Sequence, residues 1–249
     1  MEADVYEQMV RLESTHWWFR GRRTIVASVI ESLGLPEQAK ILEIGAGTGG
    51  NTAMLESFGR VDSIEPDARA RELAADVHGA QLMPGALPDA LPPSGYLYDL
   101  ILLTDVLEHI KEDGRSLESL KGLLAPEGRL LLTVPALQSL WSEHDLLHHH
   151  FRRYSSSELT RVLEKSGFTV YQQQYMNSLL LPAVALARLC SRIGLRSGGD
   201  DKMPGPWVNR LLYTIFSSER YLIRRQLKLP LGVSLLALAG HDSARVDAS

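Results

Sequence analysis

The chain has 249 residues and carries 26 basic against 30 acidic side chains, a formal charge of −4. That length suits one large domain, here taken as residues 1–249. The acidic balance argues against a general nucleic-acid binder, and 45% hydrophobic with 22% charged residues excludes a disordered or collagen-like chain. The single cysteine, Cys190, permits no internal disulfide, and no Cys/His zinc spacing occurs, so a reducing, cytoplasmic setting and no metal are expected. Met1–Asp4 is acidic where a secretory leader would be basic, and the apolar run Leu179–Ala187 stops at Arg188, well short of a membrane span. Peripheral contact with a membrane stays open.

Two helical segments, Val5–Ser14 and Gly21–Gly34, open the chain; residues 1–38 read as a helical lid. Seven short apolar runs then read as strands: Ile41–Ile44, Val61–Ile64, Ala80–Met83, Tyr98–Leu103, Gly128–Val134, Phe168–Tyr175 and Val233–Ala239. Helical patterns separate the first six, one of them opened by Ser155 with Glu158 three residues on, a capping box. Strands alternating with helices predict an α/β fold on a mostly parallel sheet, and the continuous apolar run Leu100–Leu103 fits a strand covered on both faces. Residues 177–229 differ in composition. They hold an apolar helix, a breaker segment from Gly194 to Pro206, and an amphipathic helix over Trp207–Leu229 with Arg210, Arg220, Arg224, Arg225 and Lys228 against one acid, Glu219.

The most informative stretch is Glu43-Ile44-Gly45-Ala46-Gly47-Thr48-Gly49-Gly50. A strand runs into glycines and then a helix, which allows a tight turn, close approach of backbone to a ligand, and free amides at the helix start. Gly45, Gly47 and Gly50 also satisfy the dinucleotide pattern, so a nicotinamide-dependent oxidoreductase is one alternative. Glu43, however, would repel a pyrophosphate and suits a cationic cofactor, and Glu65, twenty residues after Gly45, is placed to accept from both ribose hydroxyls.

This block resembles the first motif of the class I S-adenosylmethionine-dependent methyltransferases, specifically their small-molecule branch of quinone and natural-product enzymes. Ile64-Glu65-Pro66-Asp67 resembles the family's ribose-binding acid, Asp99–Leu103 with Thr104-Asp105-Val106-Leu107-Glu108-His109 its fourth-strand motif, and Leu124–Arg129 the turn before its fifth strand. The resemblance covers about residues 16–175, with the last strand rejoining near Val233. It implies a doubly wound, Rossmann-like seven-stranded sheet with the last strand antiparallel, and S-adenosyl-L-methionine as cofactor. It also implies cofactor contacts from Gly45, Ala46, Gly47, Gly49, Glu43, Glu65, Pro66, Thr104 and Asp105. Many relatives carry Gly-Asp after the third strand where this chain has Gly85-Ala86-Leu87, so adenine selection falls to backbone and apolar groups at Ala86 and Leu87. His16–Arg23 resembles a lead-in that lays aromatic rings and an arginine over the cofactor's amino-acid end, here Trp18 and Arg22, with Arg23 an equal candidate.

After the fifth strand, His144-Asp145 and His150-Phe151-Arg152-Arg153-Tyr154 resemble a block of the same branch. The sulfonium is already a good electrophile, so the enzyme must align the acceptor and remove its proton, a task for histidine. His150 is the first candidate, His144 the second for its adjacent Asp145, and His109 follows the fourth strand; Arg153 and Tyr154 are candidates to hold an anionic or phenolic acceptor. The expected activity is methyl transfer to a small-molecule acceptor, most often oxygen. The insert 177–229 reads as a cap over an anionic or lipid-linked substrate, a membrane contact or an oligomer face. A cofactor-binding subunit without catalysis is the other alternative.

Overall fold

The protein is described here from a computed structural model, which covers residues 3–91, 93, 95–192 and 203–242; residues 194–202 of the breaker segment lie outside them. Helices α1 (Ala3–Leu12) and α2 (Trp17–Leu33) precede strand β1 (Ala39–Ile44). There follow α3 (Thr52–Glu56), β2 (Gly59–Ile64), α4 (Ala68–His78), β3 (Tyr98–Thr104), α5 (Asp113–Lys121) and β4 (Leu124–Pro135). The chain continues through α6 (Glu143–Leu147), α7 (Ser156–Lys165), β5 (Thr169–Met176), α8 (Leu181–Arg192), α9 (Pro206–Arg224) and β6 (Ser234–Gly240).

The described strands form one six-stranded mixed sheet in the order β2-β1-β3-β4-β6-β5. The first four run parallel, and β6 lies antiparallel to both β4 and β5. The seventh strand expected at Ala80–Met83 is reduced to one parallel bridge, Met83 to Ile64. Met83 N donates to Ser63 O and Glu65 N to Met83 O, but Pro84 follows and has no N–H with which to extend the ladder.

Alternate residues of each central strand enter two apolar layers. Leu42, Ile101, Leu103, Leu130 and Leu132 pack with Leu117 and Leu120 of α5 and Leu159 and Leu163 of α7. Ile41, Leu100, Leu102 and Leu131 pack on the other face with Ile25, Val29 and Ile30 of α2 and Phe216 and Ile223 of α9. This two-sided burial explains why the strands read as unbroken apolar runs. Helix starts are chemically marked: Asp67 accepts from Arg69 N and Ala70 N ahead of α4, and Ser155 with Glu158 forms the expected capping box ahead of α7.

Candidate active site

The parallel strands end together, and the residues just past them (Gly45 after β1, Glu65 after β2, Asp105 after β3) share a cavity of about 760 Å³ with Pro135, the last residue of β4. A crevice at the carboxyl ends of such strands is where open α/β sheets bind ligands. The turn after β1 is built for close approach: Gly45 and Gly47 have φ of 66° and 58°, and both line the cavity. Ala46 joins them there, as do Pro66, Ala86, Leu87 and Thr104.

Glu65 is buried at the end of β2. Its carboxylate accepts Gly47 N at 2.8 Å, Asp67 N at 3.0 Å and the Tyr6 hydroxyl of α1. Burial raises its pKa against the two backbone hydrogen bonds. The Tyr6 hydroxyl is pushed up in turn, by burial and then by the Glu65 charge.

Glu43 and Gly49 do not line the cavity. The Glu43 carboxylate is buried behind it, accepting Asn51 Nδ2 at 3.1 Å and Ser63 Oγ at 3.0 Å, and burial raises its pKa to about 7. Asn51, which does line the cavity, also donates to Thr104 Oγ1 at 3.0 Å, so Glu43 acts on the site through Asn51. Gly49 is a packing position: a Cβ there would stand 3.2 Å from the Cβ atoms of Ala74 and Ala80. Ala86 uses its N–H and C=O on Ala90, so its backbone is already paired within the chain.

Arg22 and Arg23 both line the cavity, with different partners. Arg22 lies 4.5 Å from the Trp18 ring centroid and forms an ion pair with Asp105, which in turn accepts from Thr133 Oγ1 at 3.1 Å. Arg23 turns back to donate to Glu13 O. Asp105 holds φ of 55°, a left-handed conformation retained at the cavity wall.

On the opposite wall stand His109, His144, His148 and His150. Asp145, not an obvious site residue from sequence, organises them. Fully buried, it lies 2.9 Å from His150 Nδ1, takes a bidentate pair from Arg153 at 2.8 and 3.0 Å, and accepts Ser142 N at 2.9 Å. Burial pushes its pKa up, but the His150 and Arg153 hydrogen bonds outweigh that and hold it well below the usual carboxylate range. Asp145 therefore stays ionised, placed to accept from His150 in the tautomer with the proton on Nδ1. His144, the neighbour of Asp145 in sequence, stacks near His148 instead, with centroids 4.1 Å apart.

Arg153 lines the cavity, and three of its five N–H donors go to Asp145 and Ala136 O. Tyr154 does not line it; its hydroxyl donates to Asp113 at 2.9 Å. His109 packs edge-on against His150 at 4.6 Å, and burial, followed by the neighbouring His150, lowers its pKa to about 4, leaving it neutral at pH 7. Glu108 is fully buried with both oxygens unpaired, and burial, then the Asp105 charge, raises its pKa well above the ordinary range. Donor atoms of Glu108, His109 and His150 lie within 4.8 Å of one another, a grouping that could hold a metal ion after displacing the proton burial favours on Glu108. The sequence did not suggest this cluster.

A model of a methyltransferase domain matches residues 18–173, more than half of the chain. The chain belongs to the methyltransferase family. A Staphylococcus carnosus protein described as an uncharacterized methyltransferase is 27% identical over 146 residues, spanning 57% of this methyltransferase and 69% of the relative. Protein-L-isoaspartate O-methyltransferase 1 of Rhodopseudomonas palustris is 38% identical over 122 residues, but the match spans 46% of this chain and 47% of that one. The fold is similar to that of the Haloferax volcanii methyltransferase in complex with the Trm112 methyltransferase activator, with a TM-score of 0.58 at 16% identity over 96% of this chain and 95% of the other.

The methyltransferase is thus an S-adenosylmethionine-dependent enzyme. Its residues fit that cofactor: side-chain-free turns at Gly45 and Gly47, a buried carboxylate at Glu65, and a cavity large enough for it beside an acceptor. Sequence reasoning missed the cavity residues Tyr6, Met9, Glu13, Asn51 and Glu108. Glu13 and Asn51 carry no local motif, but Glu108 stood inside the quoted fourth-strand block.

Proposed function

We propose that this enzyme methylates an oxygen of a small-molecule acceptor, with His150 taking the acceptor's proton. The carrying observation is the Asp145–His150 pair, 2.9 Å apart, in the same cavity as the glycine turn. S-adenosylmethionine, when bound, would supply an activated methyl group; Gly45, Gly47 and Glu65 would hold its nucleoside part, and Trp18, Arg22 and Asp105 its amino-acid end. Thr104 accepts from Asn51 and so orients it in the same cavity. Asp145 fixes the His150 ring and stabilises the imidazolium that forms, as a carboxylate behind a catalytic histidine does. Arg153 is a positioning residue acting through Asp145, and Tyr154 steadies the loop from Asp113. His109, neutral at pH 7, and His144 flank the acceptor.

S-adenosylhomocysteine release, assayed across hydroxylated acceptors, tests the reading. His150→Ala should lower turnover about 10²–10⁴-fold with cofactor affinity nearly unchanged. Turnover within a few-fold of wild type at saturating acceptor would reduce His150 to a brace. Asp145→Asn should follow His150→Ala in turnover, because the neutral amide no longer holds the proton on Nδ1.

A further inference from the structure

We propose that the helical insert seats the enzyme on an anionic membrane surface, so that the cavity takes an amphiphilic acceptor whose tail stays in the bilayer. The nature of the acceptor rests on the methyl-transfer reading; the membrane seat does not. Helix α8 has two apolar sides. Val184 and Ala187 line the cavity, while Ala185, Leu186 and Leu189 face outward, with Leu186 61% and Leu189 55% exposed. Its one charged side chain before Arg192, Arg188, turns inward to Leu140 O and stays 10% exposed.

The first turns of α9 repeat the arrangement. Leu212 lines the cavity, and Trp207, Val208 and Leu211 stand outside, Trp207 at 84% exposure. Leu146, Leu147 and Phe151, beside the cavity-lining His148 and His150, are exposed as well. Three segments that wall one cavity therefore all leave large apolar side chains in water, and an exposed tryptophan on an amphipathic helix is suited to a lipid interface. No helix among the described residues is long and apolar enough to cross a membrane, so the helices would lie on it.

Charge decides between a bilayer and a second copy of the chain. The one acid of 206–229, Glu219, is fully buried and accepts Ser178 N and Leu179 N, both at 2.7 Å. Arg210, Arg225 and Lys228 are exposed, and Arg224 is shared with Glu31 at 3.7 Å. The described part of the insert thus offers a basic surface on a chain of net −4, with Glu31 of α2 and Glu143 of α6 exposed as well. A two-fold dimer through this face would oppose like charges, whereas anionic headgroups complement them.

The test is sedimentation of the full chain with vesicles of phosphatidylcholine, with and without about 30 mol% phosphatidylglycerol. Binding is expected to the anionic vesicles at low salt and to fade as salt shortens the screening length from about 10 Å at 0.1 M to about 3 Å at 1 M. Leu186→Ser with Leu189→Ser, and separately Trp207→Ser with Leu211→Ser, should each weaken it at least about tenfold. Arg210→Gln with Arg225→Gln and Lys228→Gln should remove the preference for anionic lipid. Wild type remaining in the supernatant at low salt overturns the proposal, as does a micromolar dimer in sedimentation velocity that the same leucine and tryptophan variants dissolve. Calorimetry with S-adenosylhomocysteine, run on each protein, reports separately on folding, and S-adenosylhomocysteine release with a soluble hydroxylated acceptor reports on the methyl-transfer reading.

Discussion

Asp145 collects five donors on two oxygens from the loop between β4 and α7, and Arg188 of α8 stands 4.0 Å away. An uncompensated carboxylate buried this deeply would be costly, so removing Arg153 should damage the loop before it damages chemistry. Arg153→Ala is expected to destabilise folding by about 3–5 kcal/mol in urea unfolding, while Arg153→Lys, which cannot make the bidentate pair, should recover part of it. Glu65 bears on the cofactor directly. Losing a charge-assisted acceptor costs about 1.5–3 kcal/mol, so Glu65→Ala should weaken S-adenosylhomocysteine binding roughly 10- to 150-fold by calorimetry. Unchanged affinity in a folded variant would remove Glu65 from the ribose. Glu43 contributes to pH dependence with a definite sign. Its folded pKa, about 7, lies above the ordinary 4.5, so the fold favours the protonated form. That contribution is complete below pH 4.5 and lost as pH rises through about 7. Glu43→Gln should flatten the fall in stability across this window by about 3 kcal/mol; an unchanged pH profile would show that another group carries it.

Each of the two helical additions to the sheet has one buried carboxylate among its ties to the neighbouring elements. Glu13, just past α1, accepts Thr48 Oγ1 at 2.8 Å and lies 2.7 Å from His78 Nε2, strapping α1 across the glycine turn and against α4. This explains Gly50, where a Cβ would stand 2.2 Å from Glu13 Oε2. Gly50→Ala must push that carboxylate aside, so it should cost about 1–3 kcal/mol and raise proteolytic cutting within α1, read by limited proteolysis. Glu219 does the same for the insert by accepting the two amides that precede α8. Glu219→Ala leaves both unpaired and should destabilise by about 2–4 kcal/mol, with Glu219→Gln, which keeps an acceptor oxygen, milder. Equal effects from the two substitutions would assign the cost to charge rather than to the lost acceptor.

Taken together, the sheet does two jobs with one geometry. Its parallel half ends in a row of turns that wall the cavity, and its antiparallel half, β6 and β5, carries the insert that completes the far wall. The apolar layers on the two faces keep strand ends in register, so Gly45, Glu65 and Asp105 arrive at one place from positions sixty residues apart. The family match ends at residue 173, before the insert, so the part of the chain that differs in composition lies outside the family model.

Local chemistry was legible wherever cause and effect lie within a few residues. The glycine turn, the acid closing β2, the capping box at Ser155 and the buried apolar strands each follow from neighbouring side chains and backbone sterics, and they suffice for the α/β class and the cofactor family. Pairings across the fold were not legible. Sequence adjacency favoured His144 for Asp145, but the chain turns through His149 at a φ of 54° and brings His150 to that carboxylate instead. Glu43 was expected to face the cofactor, yet strand alternation and the position of Asn51 turn it behind the wall. Glu219 is a lone acid in a basic helix, and only the turn before α8 supplies the amides it accepts. A buried polar group is satisfied by whichever partner the packed elements bring within about 3 Å, and that partner is chosen by tertiary structure, not by distance along the chain.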